Sequence, residues 1–170
     1  MRTTSLITAL VSMLVFAVAN TAHAQIVALG ASNVAGYGVA SSEAFPAQLE
    51  RMLAAKGYNV QVTNAGISGN TNEQLLSRLD SDVPAGTKIV ILDVSGGNYN
   101  AQKKGFGDQT GQLATIAARL RARGIKIIPE NGRSIKQKEL RQADGRHFTA
   151  EGHTLVASRL LPSVIQALRH

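Results

Sequence analysis

The stretch IVALGASNVAGYG, residues 26–38, joins an apolar run to a loop rich in glycine. A short, continuous apolar run bounded by glycine reads as a strand buried on both faces. A tight loop at the end of such a strand either cradles a phosphate or exposes a nucleophile. The phosphate reading fails on spacing. A Walker loop requires a lysine after its last glycine, and a dinucleotide fingerprint requires G-x-G-x-x-G. Here Gly36 is followed by Tyr37 and Gly38, no lysine is near, and Gly30, Gly36 and Gly38 fit neither pattern. The nucleophile reading stays open on this stretch alone: Ser32 stands in the loop, and a base and an orienting acid must come from elsewhere in the chain.

Outward from this stretch, apolar runs alternate with helical patterns. YNVQVTNAG (58–66), KIVILDV (88–94) and IKIIPE (125–130) read as further strands. EAFPAQLERMLAAKG (43–57) and DQTGQLATIAARLRARG (108–124) have apolar residues at helical spacing and close on Gly57 and Gly124. NTNEQLLSRLDSDV (70–83) reads as a helix capped by Asn70 or Thr71. A final helix is expected over 149–170, bent or broken near Pro162. Strands alternating with helices predict a parallel α/β sheet covered on both faces, with four strands visible. In such sheets ligands sit at the carboxyl ends of the strands. The loops expected there are GASNVAGYG (30–38), NAGISGNT (64–71) and SGGNYN (95–100), all small, polar and glycine-rich.

Residues 1–24 read as a secretory signal, with an uncleaved membrane anchor as the alternative reading. Arg2 gives a positive start, residues 6–19 are an apolar run too short to span a bilayer comfortably, and Ala22-His23-Ala24 is an A-x-A cleavage site. The mature chain, 25–170, is long enough for one domain. This predicts a periplasmic or secreted protein with no stable membrane span once the signal is removed. The chain has no cysteine, so disulfides, thiolate catalysis and cysteine-based zinc sites are excluded. The net charge is +7, with much of the excess in RLRARGIK (119–126) and RSIKQKELR (133–141). With no aromatic interleaving and no nucleic-acid motif, these charges read as a solvated basic face, and nucleic acid is not an expected partner.

A nucleophile needs a base and an orienting acid. ADGRHFTAEGH (143–153) offers both: Asp144 and His147 stand three residues apart just before the last helix. In a turn, that spacing lets the carboxylate reach the imidazole Nδ1–H, leaving Nε2 to face a serine from another loop. Asp93 is a second candidate acid; Asp144 is preferred for its local spacing to His147. His153 reads as structural. No residue cluster supports a metal site, and no cofactor is expected.

Four blocks in order identify a resemblance that spans nearly all of 25–170. The chain resembles the SGNH branch of the GDSL hydrolases, of the arylesterase and lysophospholipase–thioesterase type. LGASNVAGYG is similar to the nucleophile block, NAGISGNT to the second, VSGGNYN to the third and ADGRHFTAEGH to the last. The resemblance implies a three-layer α/β/α, flavodoxin-like fold with a mostly parallel sheet of four to five strands. It implies a catalytic triad of Ser32, His147 and Asp144. It also implies an oxyanion hole from the N–H groups of Ser32 and Gly69 and the side-chain amide of Asn98. The expected reaction is hydrolysis of short acyl or aryl carboxylic esters, or thioesters, through an acyl-Ser32 intermediate. The substrate would be a small-molecule, lipid or glycan ester. An inactive binding module of the cell envelope and a polysaccharide O-deacetylase are the alternative readings.

Three features depart from the family pattern. Ala31 and Tyr99 stand where the family carries loop-tying aspartates. The segment NGRSIKQKELRQ (131–142) is short, so a shallow, open groove is expected in place of an acyl tunnel.

Overall fold

The computed structural model describes residues 25–169; the signal and cleavage readings, made on residues 1–24, lie outside them. Strand β1 (Gln25–Gly30) is followed by a single helical turn, α1 (Ser32–Ala35), and by α2 (Phe45–Ala55). Next come β2 (Gln61–Gly66), α3 (Asn72–Ser77), α4 (Leu79–Asp82) and β3 (Thr87–Asp93). The chain continues through α5 (Gly96–Lys103), α6 (Thr110–Ala122) and β4 (Lys126–Glu130) to α7 (Ala150–Leu168). The four strands form one parallel sheet in the order β2-β1-β3-β4.

The sheet is covered on both faces because its inner strands are apolar on both. Ile26, Ala28, Ile89 and Ile91 pack with Phe45, Leu49 and Leu53 of α2 and Val156, Leu160 and Val164 of α7. Val27, Leu29, Val90 and Leu92 point the other way and pack with Leu75, Leu79, Ile116 and Leu120. The result is the three-layer α/β/α arrangement expected of alternating strands and helices.

From β1 the chain crosses to the β2 edge, and from β3 it crosses to the β4 edge. The connections therefore diverge between β1 and β3, at their carboxyl ends, and the crevice of a parallel sheet opens there. Close packing holds it in shape. A Cβ on Gly66 would come within 2.1 Å of the Ala35 backbone nitrogen, so α1 lies against β2 through a gap that only glycine leaves.

Local structure departs from the sequence expectation in three places. SGGNYN, expected as a loop, is mostly helix α5: Asp93 accepts the N–H groups of Ser95 (2.9 Å) and Gly96 (2.8 Å) and so starts a turn. The helix expected over 70–83 divides at Arg78 into α3 and α4. Its cap is Thr71, whose Oγ1 accepts from Gln74 N while Gln74 Oε1 accepts from Thr71 N, a reciprocal capping box. The last helix is neither broken nor divided: α7 runs through Pro162 for 19 residues. The proline forfeits one backbone bond, but the buried Val156, Leu160 and Val164 keep both halves on the sheet.

Candidate active site

Ser32 begins α1 directly after β1, and His147 stands in the turn before α7. The fold brings these distant residues into contact: the Ser32 hydroxyl donates to His147 Nε2 at 2.9 Å. His147 Nδ1 donates to Asp144 Oδ2. Asp144 also organises the turn, its Oδ1 accepting the N–H groups of Arg146 (2.8 Å) and His147 (3.0 Å). Desolvation pushes its carboxyl up, but those two N–H groups and the His147 ring outweigh this and hold it well below the usual carboxylate range. The carboxylate is therefore ionised at neutral pH, which fixes the tautomer with the proton on Nδ1 and the lone pair facing Ser32. Tyr37 lies over the imidazole, ring centroids 4.4 Å apart.

Asp93 does different work. Its Oδ2 accepts from Ala31 N (3.3 Å) while Oδ1 accepts from Ser95 and Gly96, so one buried carboxylate ties the Ser32 loop to the start of α5. Ala31, the position of a family aspartate, is thereby tied through its backbone.

Gly69 lines the pocket in a left-handed conformation, φ +80°. A Cβ there would find open space, its nearest neighbour being Lys104 Nζ at 4.0 Å, so glycine is required by the backbone and not by crowding. Two bonds press the Gly69 loop onto α5: Lys104 Nζ donates to Gly69 O (2.8 Å) and Asn100 Nδ2 to Asn70 O (2.8 Å).

Asn98 lies elsewhere. Its Nδ2 donates to Asp108 Oδ1 (2.8 Å) and its Oδ1 accepts from Gln109 N (2.6 Å), which fastens α5 to the start of α6. The cause is helical phase. Gly96, Tyr99, Asn100 and Lys103 face the pocket, and Asn98, two residues from Gly96, points to the opposite side.

The pocket around Ser32 and His147 has a volume of about 1180 Å³. Much of its wall is the 131–142 segment, which was expected to leave the site shallow. Arg141 folds that segment back on itself by donating to the carbonyls of Gly132, Ile135 (2.9 Å) and Arg146 and by stacking on Phe148. Tyr99 is also held there: its hydroxyl accepts from Arg146 Nη1 (2.9 Å), and Arg133 and Arg146 flank its ring. Sequence patterning alone missed Tyr37, Tyr99, Asn100 and this basic wall. The charge run at 133–141 was visible, but whether it faced solvent or the pocket was not.

Two further buried titratable groups lie outside the Ser32–His147–Asp144 line of contacts. His153 Nδ1 accepts from Phe45 N (3.3 Å) and its ring packs with Phe45 and Phe148; burial lowers its pKa to about 4. Burial, together with the Asp93 charge, raises Glu130 to about 8, Arg141 offsetting part of this. The signs differ. Native Glu130 holds a proton that the unfolded chain has released, so its contribution is full below the unfolded carboxyl pKa, about 4.3, and is lost as pH rises through 8. Native His153 resists protonation, so its contribution is full above about 6.5 and is lost as pH falls through 4. Between pH 6.5 and 8.5 Glu130 alone of the two acts. Thermal melting over that range should show wild-type Tm falling as pH rises and the Tm of Glu130→Gln nearly flat. Parallel slopes would mean that Glu130 is ionised throughout.

Known proteins share this architecture and parts of this sequence. The model of the GDSL-like Lipase/Acylhydrolase family matches residues 28–143, ending just before Asp144. Esterase TesA of Pseudomonas aeruginosa is 31% identical over 100 residues, 59% of this chain and 50% of TesA. The chain thus spans about half the length of that relative. A crystal structure of TesA superposes with a TM-score of 0.72 at 20% identity, covering 84% of this chain and 99% of that one. The psychrotrophic esterase EstA from Pseudoalteromonas sp. gives 0.72 at 18% identity, covering 86% of this chain and 100% of its own. These two likenesses speak for the fold alone. AlinE4, an SGNH-hydrolase family esterase, gives 0.61 at 25% identity over 86% of this chain and 97% of its own. With well over half its length matched by the family model and with the same α/β architecture, the chain belongs to the GDSL-like lipase/acylhydrolase family.

Proposed function

We propose that this protein is a periplasmic or secreted serine hydrolase that cleaves carboxylic esters, or thioesters, through an acyl-Ser32 intermediate. The observation that carries the reading is the line of contacts Ser32 Oγ–His147 Nε2 (2.9 Å) and His147 Nδ1–Asp144. His147 takes the hydroxyl proton as Ser32 attacks the carbonyl, then returns it to the leaving alcohol; Asp144 holds the ring and stabilises the imidazolium. Water repeats the cycle on the acyl enzyme. The membership of residues 25–170 in a single hydrolase domain behind a cleaved signal at 1–24 belongs to the same proposal.

Backbone donors supply the core of the oxyanion hole in this reading. The Ser32 N–H stands in the first turn of α1, where no intrahelical acceptor exists, and Gly69 lies on the pocket wall. Asn98 joins them only if its amide leaves Asp108. Asn98→Ala therefore separates two roles. As a tie between α5 and α6, its loss should cost about 1–2 kcal/mol of stability and leave kcat within about tenfold. A kcat loss of about 10²- to 10³-fold at unchanged Tm would instead make the amide an oxyanion donor.

The few large aromatic or aliphatic side chains on the pocket wall, Tyr37, Tyr99 and Ile135, support short acyl or aryl groups as substrates. Long chains would meet few large apolar side chains besides these three, although each buried methylene is worth about 0.8 kcal/mol where such contact exists. Labelling with a fluorophosphonate tests the chemistry directly. Covalent modification at Ser32, with turnover of nitrophenyl acetate or butyrate, is the expected result. An unlabelled, inactive protein would leave a binding module on the same fold.

A further inference from the structure

The pocket wall carries cationic side chains from three separate parts of the chain. Lys103 and Lys104 come from the end of α5, Arg133, Lys136 and Lys138 from the segment after β4, and Arg146 from the catalytic turn. No carboxylate lines the pocket, and among the described residues none of these six forms an ion pair. Two have neutral partners only: Lys104 donates to Gly69 O and Arg146 to the Tyr99 hydroxyl. Asp144, the nearest catalytic acid, is committed to His147.

Gathering like charges in a cleft opposes folding by mutual repulsion, and it focuses a positive field into the cleft. The chain's other basic run behaves differently. Arg119, Arg121 and Arg123 lie on or just beyond α6, away from the pocket. The positive field is therefore localised at the nucleophile.

Resting on the esterase reading, the geometry points to a substrate class: esters that carry an anionic group, phosphate or carboxylate, beside the scissile bond. The anion is held by the Lys103 and Lys104 side of the pocket and the Arg133–Lys138 side together, while the ester carbonyl meets Ser32. Arginine flanking Tyr99 adds a planar, donor-rich surface suited to phosphate or carboxylate oxygens.

The test uses two matched pairs of esters. In the first, 1-butyrylglycerol 3-phosphate is compared with 1-monobutyrin, so that only the alcohol-side phosphate differs. In the second, mono-nitrophenyl succinate is compared with nitrophenyl butyrate, so that only the acyl-side carboxylate differs. At low ionic strength, kcat/KM should favour the anionic member of at least one pair by about 10- to 100-fold. The favoured pair identifies the source of the anion. The preference should shrink towards unity at about 0.5 M salt. In Lys136→Gln/Lys138→Gln the anionic-to-neutral ratio should fall at least about fivefold, whereas Arg121→Gln, on α6, should keep the wild-type ratio. Equal kcat/KM within both pairs, with the neutral esters turned over, would overturn this inference and leave the esterase reading standing. If no ester is turned over and Ser32 is not labelled, the esterase reading fails instead. Calorimetry on Ser32→Ala with the first pair then decides the anion site: tighter binding of the phosphate ester sustains it, and equal binding overturns it.

Discussion

Ser32→Ala and His147→Ala are each expected to lower kcat by on the order of 10³- to 10⁶-fold, and the double variant should be scarcely worse than either. The reason is mechanical. Without the imidazole the Ser32 hydroxyl keeps its proton at neutral pH and attacks poorly; without the hydroxyl the imidazole has nothing to activate. Residual turnover would come from the N–H groups around the carbonyl and from substrate binding. The measurement is kcat on nitrophenyl acetate for the two single variants and the double. Losses that multiply would mean that Ser32 and His147 act separately and that the 2.9 Å contact is not the reacting pair. Neither substitution should unfold the chain, since both side chains line the pocket and neither belongs to the apolar core.

Asp144→Asn should cost on the order of 10⁴-fold in kcat with little change in Tm. Asparagine Oδ1 can still accept from the N–H groups of Arg146 and His147, so the turn survives. Its amide, however, presents a donor to Nδ1. The ring then carries its proton on Nε2 and cannot take one from Ser32. The check is kcat for Asp144→Asn beside its melting curve. If kcat stays within about tenfold, another acid orients the ring. Asp93 would be a poor substitute, because its two oxygens already serve Ala31, Ser95 and Gly96.

Part of the site was legible because it is local. Asp144 and His147 share one turn, and a spacing of three residues limits what they can reach. The Gly-rich ends of β1, β2 and β3 were legible for a different reason: parallel strands send all their carboxyl ends to one edge, so three such loops must converge. Asn98 was placed by its motif, but side-chain direction follows helical phase. Once Asp93 starts a helix at Gly96, the residue two positions on faces α6. Linear spacing cannot reveal that phase when two glycines hide the helix.

The basic segment after β4 illustrates the same limit. Its lysines and arginines look like any solvated run, and only Arg141, bonded to the carbonyls of Gly132 and Ile135, turns them towards the pocket. Apolar periodicity is a property of neighbouring residues, and it alone determined the order of the strands and of the helices that cover them, apart from α5 and the division of the 70–83 helix, together with the parallel sheet and the edge where the site lies. The tertiary structure decided what depends on distant neighbours. It joined Ser32 to His147, gave Asp93 the task of tying two loops, carried α7 through Pro162 and turned a charge run into a pocket wall. In the first three cases the deciding contacts join residues far apart in the chain, which burial and hydrogen bonding select once the sheet has brought them together; in the last, the bonds of Arg141 are short-range, and what local spacing does not give is that the segment lies against the pocket.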